Sequence, residues 1–377
     1  MIDPDAKTPE SLAARWAELD HTVSRLTQRF TSLYHQHSFE HVQPTRLQEG
    51  IPARLRKPYA VSVAYTDWGP ADAPLVVCLG GVANTAMRFS FLAAELCSHW
   101  RVVCMDWLGR GRSGWLADDS EYGRATYVEQ LRQLLDHLDT ERSQIGVRPA
   151  PVVLIGSSLG GSVAIEFAAT QPERVARLVL GDVGPTMPRA RRRRRGETLA
   201  RFYVFRTPED LHRKVGAAQK NDGPVSEQIR QFIAYHQTRW SPEHGGRIYS
   251  HDLRALMAYR REAEHDLDQW PLWRSLRCPV LVMHGMESDA LTATMLARMR
   301  RSHALTVAHV ARTGHSPVLS DRHQTHVIAQ WLQGDATLAA DSEFSVLHAA
   351  PRQPWSAAQP DQPPINHPNR LRAPAGR

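Results

Sequence analysis

Ser158 stands at the centre of Gly156-Ser157-Ser158-Leu159-Gly160-Gly161. A serine flanked by glycines two residues away on either side is a candidate nucleophile when a strand precedes it and a helix follows it. Both conditions are legible here. Residues 152–155 form a continuous apolar run, as a buried strand does, and residues 159–170 read as a helix. A sharp turn between them forces the serine into a strained conformation, and the glycines avoid side-chain collisions with neighbouring backbone. The start of the helix presents free N–H groups and the positive end of its dipole, which favour the oxyanion formed in acyl transfer. An ordinary glycine-rich turn between strand and helix is the plainer reading of the same residues. Ser157 adjoins the candidate, but the spacing from both glycines selects Ser158.

The elements that must position this serine follow a rhythm. Strand-like runs at 61–65, 75–79, 101–105, 152–155, 175–180, 279–283 and 305–310 alternate with helical stretches at 87–97, 127–138, 159–170 and 324–332. Short connections between alternating strands and helices imply an α/β fold, a mostly parallel twisted sheet with helices on both faces. The rhythm stops across 186–270, which holds helical pieces, arginines and aromatics and shows no strand. The expected organisation is an N-terminal amphipathic helix and linker at 1–58, a first core part at 59–185, a helical insertion at 186–270, a second core part at 271–335, and a disordered proline-rich tail at 336–377. Seven prolines fall within 351–377, a composition that does not bury a core. Residues 9–34 read as one helix, with Leu12, Trp16, Leu19, Val23, Leu26, Phe30 and Leu33 at steps of four and three. That seam must be buried, either on the chain's own body or against the same helix of a second copy in a homodimer. Residues 35–58 show no period.

The fold and motif order resemble the α/β-hydrolase superfamily, in its lid-containing esterase and lactonase-like branch, over about residues 60–335. Members carry nucleophile, acid and base in the chain order Ser, Asp, His, each on a loop after a strand. The resemblance therefore implies Asp289, in Met286-Glu287-Ser288-Asp289, as the acid, and His315, in Gly314-His315-Ser316-Pro317, as the base for Ser158. Some relatives take the acid from the loop after the strand that follows the nucleophile helix, which makes Asp182 the alternative. The oxyanion donors implied are the N–H groups of Leu159 and Val82. Relatives usually carry His-Gly in the second of these loops, where this chain has Gly80-Gly81-Val82, and Asn84 lies close enough to add a side-chain donor. A further match, Asp106-Trp107-Leu108-Gly109-Arg110-Gly111-Arg112-Ser113, reads as a tight structural turn behind the site. The segment 186–270 corresponds to the lid, and its aromatics, Trp240, Tyr203, Tyr249 and Tyr259 with Trp270 and Trp273 beside them, either line an acyl pocket or pack the lid on the body.

The implied activity is hydrolysis of a small-molecule carboxylic ester or lactone through an acyl-enzyme, with no cofactor and no metal. The same triad serves thioesters, amides, carbon–carbon cleavage and perhydrolysis. A catalytically silent binding protein of the same fold is the rival from another class.

Composition narrows the partners. The net charge is +7, and residues 186–270 carry 17 Lys and Arg against 11 Asp and Glu. The arginines at 189 and 191–195 form either an anion site or a solvated stretch where the insertion begins. The solvated reading is preferred, and no aromatic interleaving of the kind that grips single-stranded nucleic acid accompanies them. No apolar run approaches the length of a membrane span. The acidic, polar first ten residues lack the pattern of a secretory signal. The four cysteines, 78, 97, 104 and 278, fit reduced buried thiols, so a cytoplasmic location is expected.

Overall fold

The computed structural model describes residues 9–219, 223, 225–315, 319–334 and 344–347. Nine strands share one sheet: β1 (Tyr34–Gln43), β2 (Tyr59–Trp68), β3 (Leu75–Leu79), β4 (Arg101–Met105), β5 (Val152–Ser157), β6 (Val175–Gly181), β7 (Val280–Gly285), β8 (Leu305–Val310) and β9 (Phe344–Leu347). Their order across the sheet is β1-β2-β4-β3-β5-β6-β7-β8-β9. Strands β3 to β8 pair in parallel. β1, β2 and β9 add antiparallel edges. The helices are α1 (Pro9–Gln28), α2 (Ser90–Leu96), α3 (Arg124–Gln144), α4 (Leu159–Thr170), α5 (Arg189–Leu199), α6 (Pro208–Gln219), α7 (Glu227–His236), α8 (Leu253–Glu262), α9 (Trp270–Ser275), α10 (Ala293–Ser302) and α11 (Arg322–Gln333).

The unbroken apolar runs of the inner strands follow from burial on both faces. Leu75, Val77 and Leu79 join one core cluster, with Leu131, Leu134 and Leu138 of α3 and Val163 and Phe167 of α4. Val76 and Cys78 join the opposite cluster, with Leu92 of α2 and Ile328 and Leu332 of α11. All four cysteines are free thiols within the core. Among the described residues no helix is long and apolar enough to cross a membrane.

The N-terminal region departs from expectation. The helix ends at Gln28 rather than at residue 34, and residues 34–43 form β1, which pairs with β2 along its whole length. The strand's alternation is masked in sequence because two of its buried positions are polar, His41 and Gln43, which bond each other at 3.1 Å. The helix seam is covered by the chain itself. Trp16 packs edge-on against Trp240 and donates its indole N–H to the Arg206 carbonyl at 3.2 Å. Phe30 sits among Trp68, Phe91 and Phe232. Leu19, Val23 and Leu26 are buried with them, so of the two alternatives the seam docks on the chain's own body.

The segment between β6 and β7 lies outside the main sheet. Residues 186–187 pair with 267–268, tying its two ends together where it leaves and rejoins the body. It is not purely helical: residues 204–205, 238–241 and 246–249 form a three-stranded antiparallel sheet. Strands of two to four residues are too short for a period to register. At the other end of the chain, residues 344–347 of the stretch expected to be disordered pair with β8 as β9. The rest of 335–377 lies outside the described residues.

Candidate active site

Ser158 is the residue between β5 and α4, with φ 50° and ψ −117°. This left-handed φ is costly for a residue with a side chain. It is held by close packing on either side. A Cβ on Gly156 would lie 2.6 Å from the backbone of Gly160 and Gly161, and one on Gly160 would run into the Leu79 carbonyl. Only glycine at both positions lets β5, α4 and β3 approach closely enough to make the turn.

His315 follows β8, and its Nδ1 lies 3.2 Å from Oδ2 of Asp182. Asp182 follows β6, has φ 54° and is fully buried. Its carboxylate also accepts the Gly285 N–H at 3.0 Å and the Ser288 hydroxyl at 2.5 Å. Three donors from two loops thus hold a carboxylate beside the imidazole. Asp289, the expected acid, stands elsewhere. Its side chain is 64% exposed and forms ion pairs with Arg191 and, at 3.7 Å, with Arg194. The hydrogen bond from Arg191 holds the Asp289 carboxyl below its usual range. His315 therefore bonds the alternative acid of the sequence reading. Asp289 follows the expected strand, but the segment 186–270 brings arginines to it that sequence spacing does not reveal.

The loop after β3 passes against the serine: a Cβ on Gly81 would stand 3.3 Å from Ser158 Cβ. Trp107 donates its indole N–H to the Gly80 carbonyl at 2.8 Å, and the buried Arg110 donates to the Val82 carbonyl at 2.9 Å. With both carbonyls tied back, the turn beginning at Asp106 anchors this loop. Asp106 itself accepts the N–H groups of Ala86 and Arg112. The oxygen of the Asn84 side chain is taken by the Gly81 N–H at 2.9 Å. Among the described residues, the N–H groups of Val82 and Leu159 make no hydrogen bond to another backbone group.

The sequence and the fold agree with known proteins. The model of the alpha/beta hydrolase family matches residues 76–330. The chain belongs to the α/β-hydrolase family. It is 31% identical to the 3-hydroxybutyrate-oligomer hydrolase of Cupriavidus necator over 284 residues, covering 72% of this chain and 93% of that protein. A serine hydrolase-like protein of Danio rerio is 35% identical over 121 residues, a match that covers 32% of this chain and only 34% of the relative. Among solved structures, an α/β hydrolase of Novosphingobium aromaticivorans superposes with a TM-score of 0.63 at 25% identity, over 79% of this chain and 97% of its own.

In this α/β hydrolase, Ser158, His315, Val82 and Asp289 line one cavity of about 350 Å³. Its far wall is α5. Positions three and four apart share a helix face, so Arg191, Arg194 and Arg195 look into the cavity together. The arginine run is thus helical, with Arg189 and Arg193–Arg195 exposed to solvent as expected and one face of the helix lining the cavity. Tyr249 and Tyr259 also line the cavity, whereas Trp270 and Trp273 are buried in the core and Trp240 packs on Trp16. Ser288, Trp107 and Arg110 are the contributors that sequence reading missed. The turn carrying Trp107 and Arg110 was legible, but its contacts with the loop after β3 were not.

Proposed function

We propose that this protein is a serine hydrolase that cleaves carboxylic esters through an acyl-enzyme. Ser158 is the nucleophile, His315 the general base and Asp182 the carboxylate that orients it. The observation that carries the reading is the Asp182–His315 hydrogen bond, made at a cavity that Ser158 also lines from a strained strand–helix turn. Asp182 keeps the proton of His315 on Nδ1, which leaves Nε2 free to act as a base. Ser158 Oγ attacks the ester carbonyl while its proton passes to Nε2. The N–H groups of Leu159 and Val82 receive the resulting oxyanion. When the tetrahedral intermediate collapses, the alcohol leaves with the proton from Nε2. Water then attacks the acyl carbonyl and gives a proton to the same nitrogen. Ser158 departs with that proton and the carboxylic acid is released. The segment 186–270 acts as the lid over this chemistry, and the four reduced thiols suit a cytoplasmic location.

The similarity to a 3-hydroxybutyrate-oligomer hydrolase supports linear hydroxyacid esters as the substrate class. The test is release of 3-hydroxybutyrate from its dimer and trimer, followed by chromatography, with wild-type protein and Ser158→Ala. Turnover by the wild type that vanishes in the variant supports the reading. Turnover that survives in the variant refutes the assignment of Ser158.

A further inference from the structure

The mechanism above uses Ser158, His315 and Val82 of the cavity lining and leaves the lining residues of α5 without a task. That helix is unusually charged. Of the six arginines at 189 and 191–195, Arg189 and Arg193 turn away from the cavity and Arg192 is engaged mainly with the body. Arg189 bonds the Glu264 carbonyl. Arg192 lies over the Tyr259 ring and bonds the His265 carbonyl at 3.1 Å. Arg193 pairs with Glu197 on its own helix at 3.1 Å. Arg191, Arg194 and Arg195 line the cavity, Arg192 reaches its edge and the buried Arg88 lines it from the body, and among the described residues Asp289 is the only carboxylate in the lining. Arg191 is mostly enclosed, with 19% of its side chain exposed.

Guanidinium groups grouped on one helix face repel one another unless an anion lies between them, and a carboxylate matches their planar fork. Asp289 supplies that anion from inside the chain, bridging Arg191 and Arg194. Its carboxylate is largely exposed, so holding it there costs little desolvation, and a ligand can displace it. A carboxylate entering the partly enclosed cavity meets Arg191, which is mostly enclosed and pairs more strongly at lower effective dielectric, with the exposed Arg194 and Arg195 beside it at the mouth. The volume suits a small molecule rather than a polymer of charges.

We infer that the arginine face of α5 is a carboxylate-binding subsite, and that the enzyme takes esters bearing a free carboxylate, which displaces Asp289 from Arg191 and Arg194. This rests on the serine-hydrolase reading for its turnover assay but not for its binding assay. Arg191, Arg194 and Arg195 are specificity residues on this account, and Asp289 is an internal stand-in for the substrate's charge.

The experiment uses the full chain and two esters of equal length, 4-nitrophenyl hexanoate and the mono-4-nitrophenyl ester of adipic acid, which differ in a terminal carboxylate. The wild type favours the anionic ester by about tenfold or more in kcat/KM, as expected for hydrogen bonds to a charged group. In Arg191→Gln/Arg194→Gln that ratio falls to about one, chiefly through KM. Arg193→Gln, which faces away from the cavity, keeps the ratio. Asp289→Asn raises it, because the substrate no longer competes with an internal carboxylate. A wild type with no preference, or a double variant that retains it, overturns the inference while leaving ester hydrolysis intact. Calorimetry of monomethyl adipate with Ser158→Ala protein removes the dependence on turnover. Binding that weakens about tenfold on adding Arg191→Gln supports the subsite even if neither ester is hydrolysed, and no binding at millimolar ligand overturns it.

Discussion

His315 Nδ1 and Asp182 Oδ2 lie 3.2 Å apart, on a carboxylate with no exposed surface, while Asp289 turns to Arg191. Exchanging the two carboxylates for amides therefore has unequal consequences. Asp182→Asn leaves the imidazole in the wrong tautomer and lowers kcat by about 10³–10⁴. Asp289→Asn changes kcat by about tenfold at most. Steady-state kinetics on one neutral ester ranks them, and the reverse ranking returns the acid to Asp289.

The loop carrying Val82 is anchored from outside the site. Trp107→Phe removes the 2.8 Å bond to the Gly80 carbonyl while keeping most of the buried ring. The expected result is a fall of about tenfold in kcat with KM changed much less, since a loosened oxyanion donor acts in the transition state. An equal rise in KM with kcat unchanged would show that the loop serves substrate binding instead.

The N-terminal helix and the turn that follows it are held by side chains that pack within the chain. Phe30 is 3% exposed and contacts Trp68, Phe91 and Phe232. Phe30→Ala should cost about 3–5 kcal/mol, as other large-to-small core changes do. Urea denaturation of the full chain measures it. A cost below about 1 kcal/mol would mean that the seam is not docked as described.

Acid sensitivity has an identifiable contributor. Burial alone would raise the Glu129 carboxyl, but bonds from Arg132 and Gln133 and the charges of Arg132 and Arg46 outweigh it and hold it at about 2. A carboxyl depressed in the folded state stabilises the fold above its ordinary value of 4.5 and loses that contribution as pH falls toward about 2. The urea midpoint should fall across this window. Glu129→Gln should lower the midpoint at neutral pH and flatten part of the acid limb. An identical acid limb in the variant would contradict the assignment.

The parallel core was legible because its strands are buried on both faces, so their apolar runs and the intervening helices could be read directly. Leu75–Leu79 and Arg101–Met105 have the expected bounds. β1 was not legible, since its inward His41 and Gln43, which bond each other, look like surface residues in a sequence. The serine turn was visible because its steric demand is local and leaves glycines at fixed spacing. The partner of His315 was not, because both Asp182 and Asp289 follow strand ends. The choice rests on groups far away in the chain: the Gly285 N–H and Ser288 hydroxyl that gather around Asp182, and Arg191, which engages Asp289. The same limit applied to α5, whose orientation depends on how the segment 186–270 folds back on the body.

The account depends most on Ser158, and one measurement addresses it. Intact-protein mass spectrometry after exposure to a fluorophosphonate probe, with wild type and Ser158→Ala compared at matched circular dichroism, reports whether this hydroxyl is activated. The wild type should gain one adduct, mapped to the peptide containing Ser158, and the folded variant none. A wild type that stays unlabelled, or a variant that labels equally well, would contradict the serine-hydrolase reading.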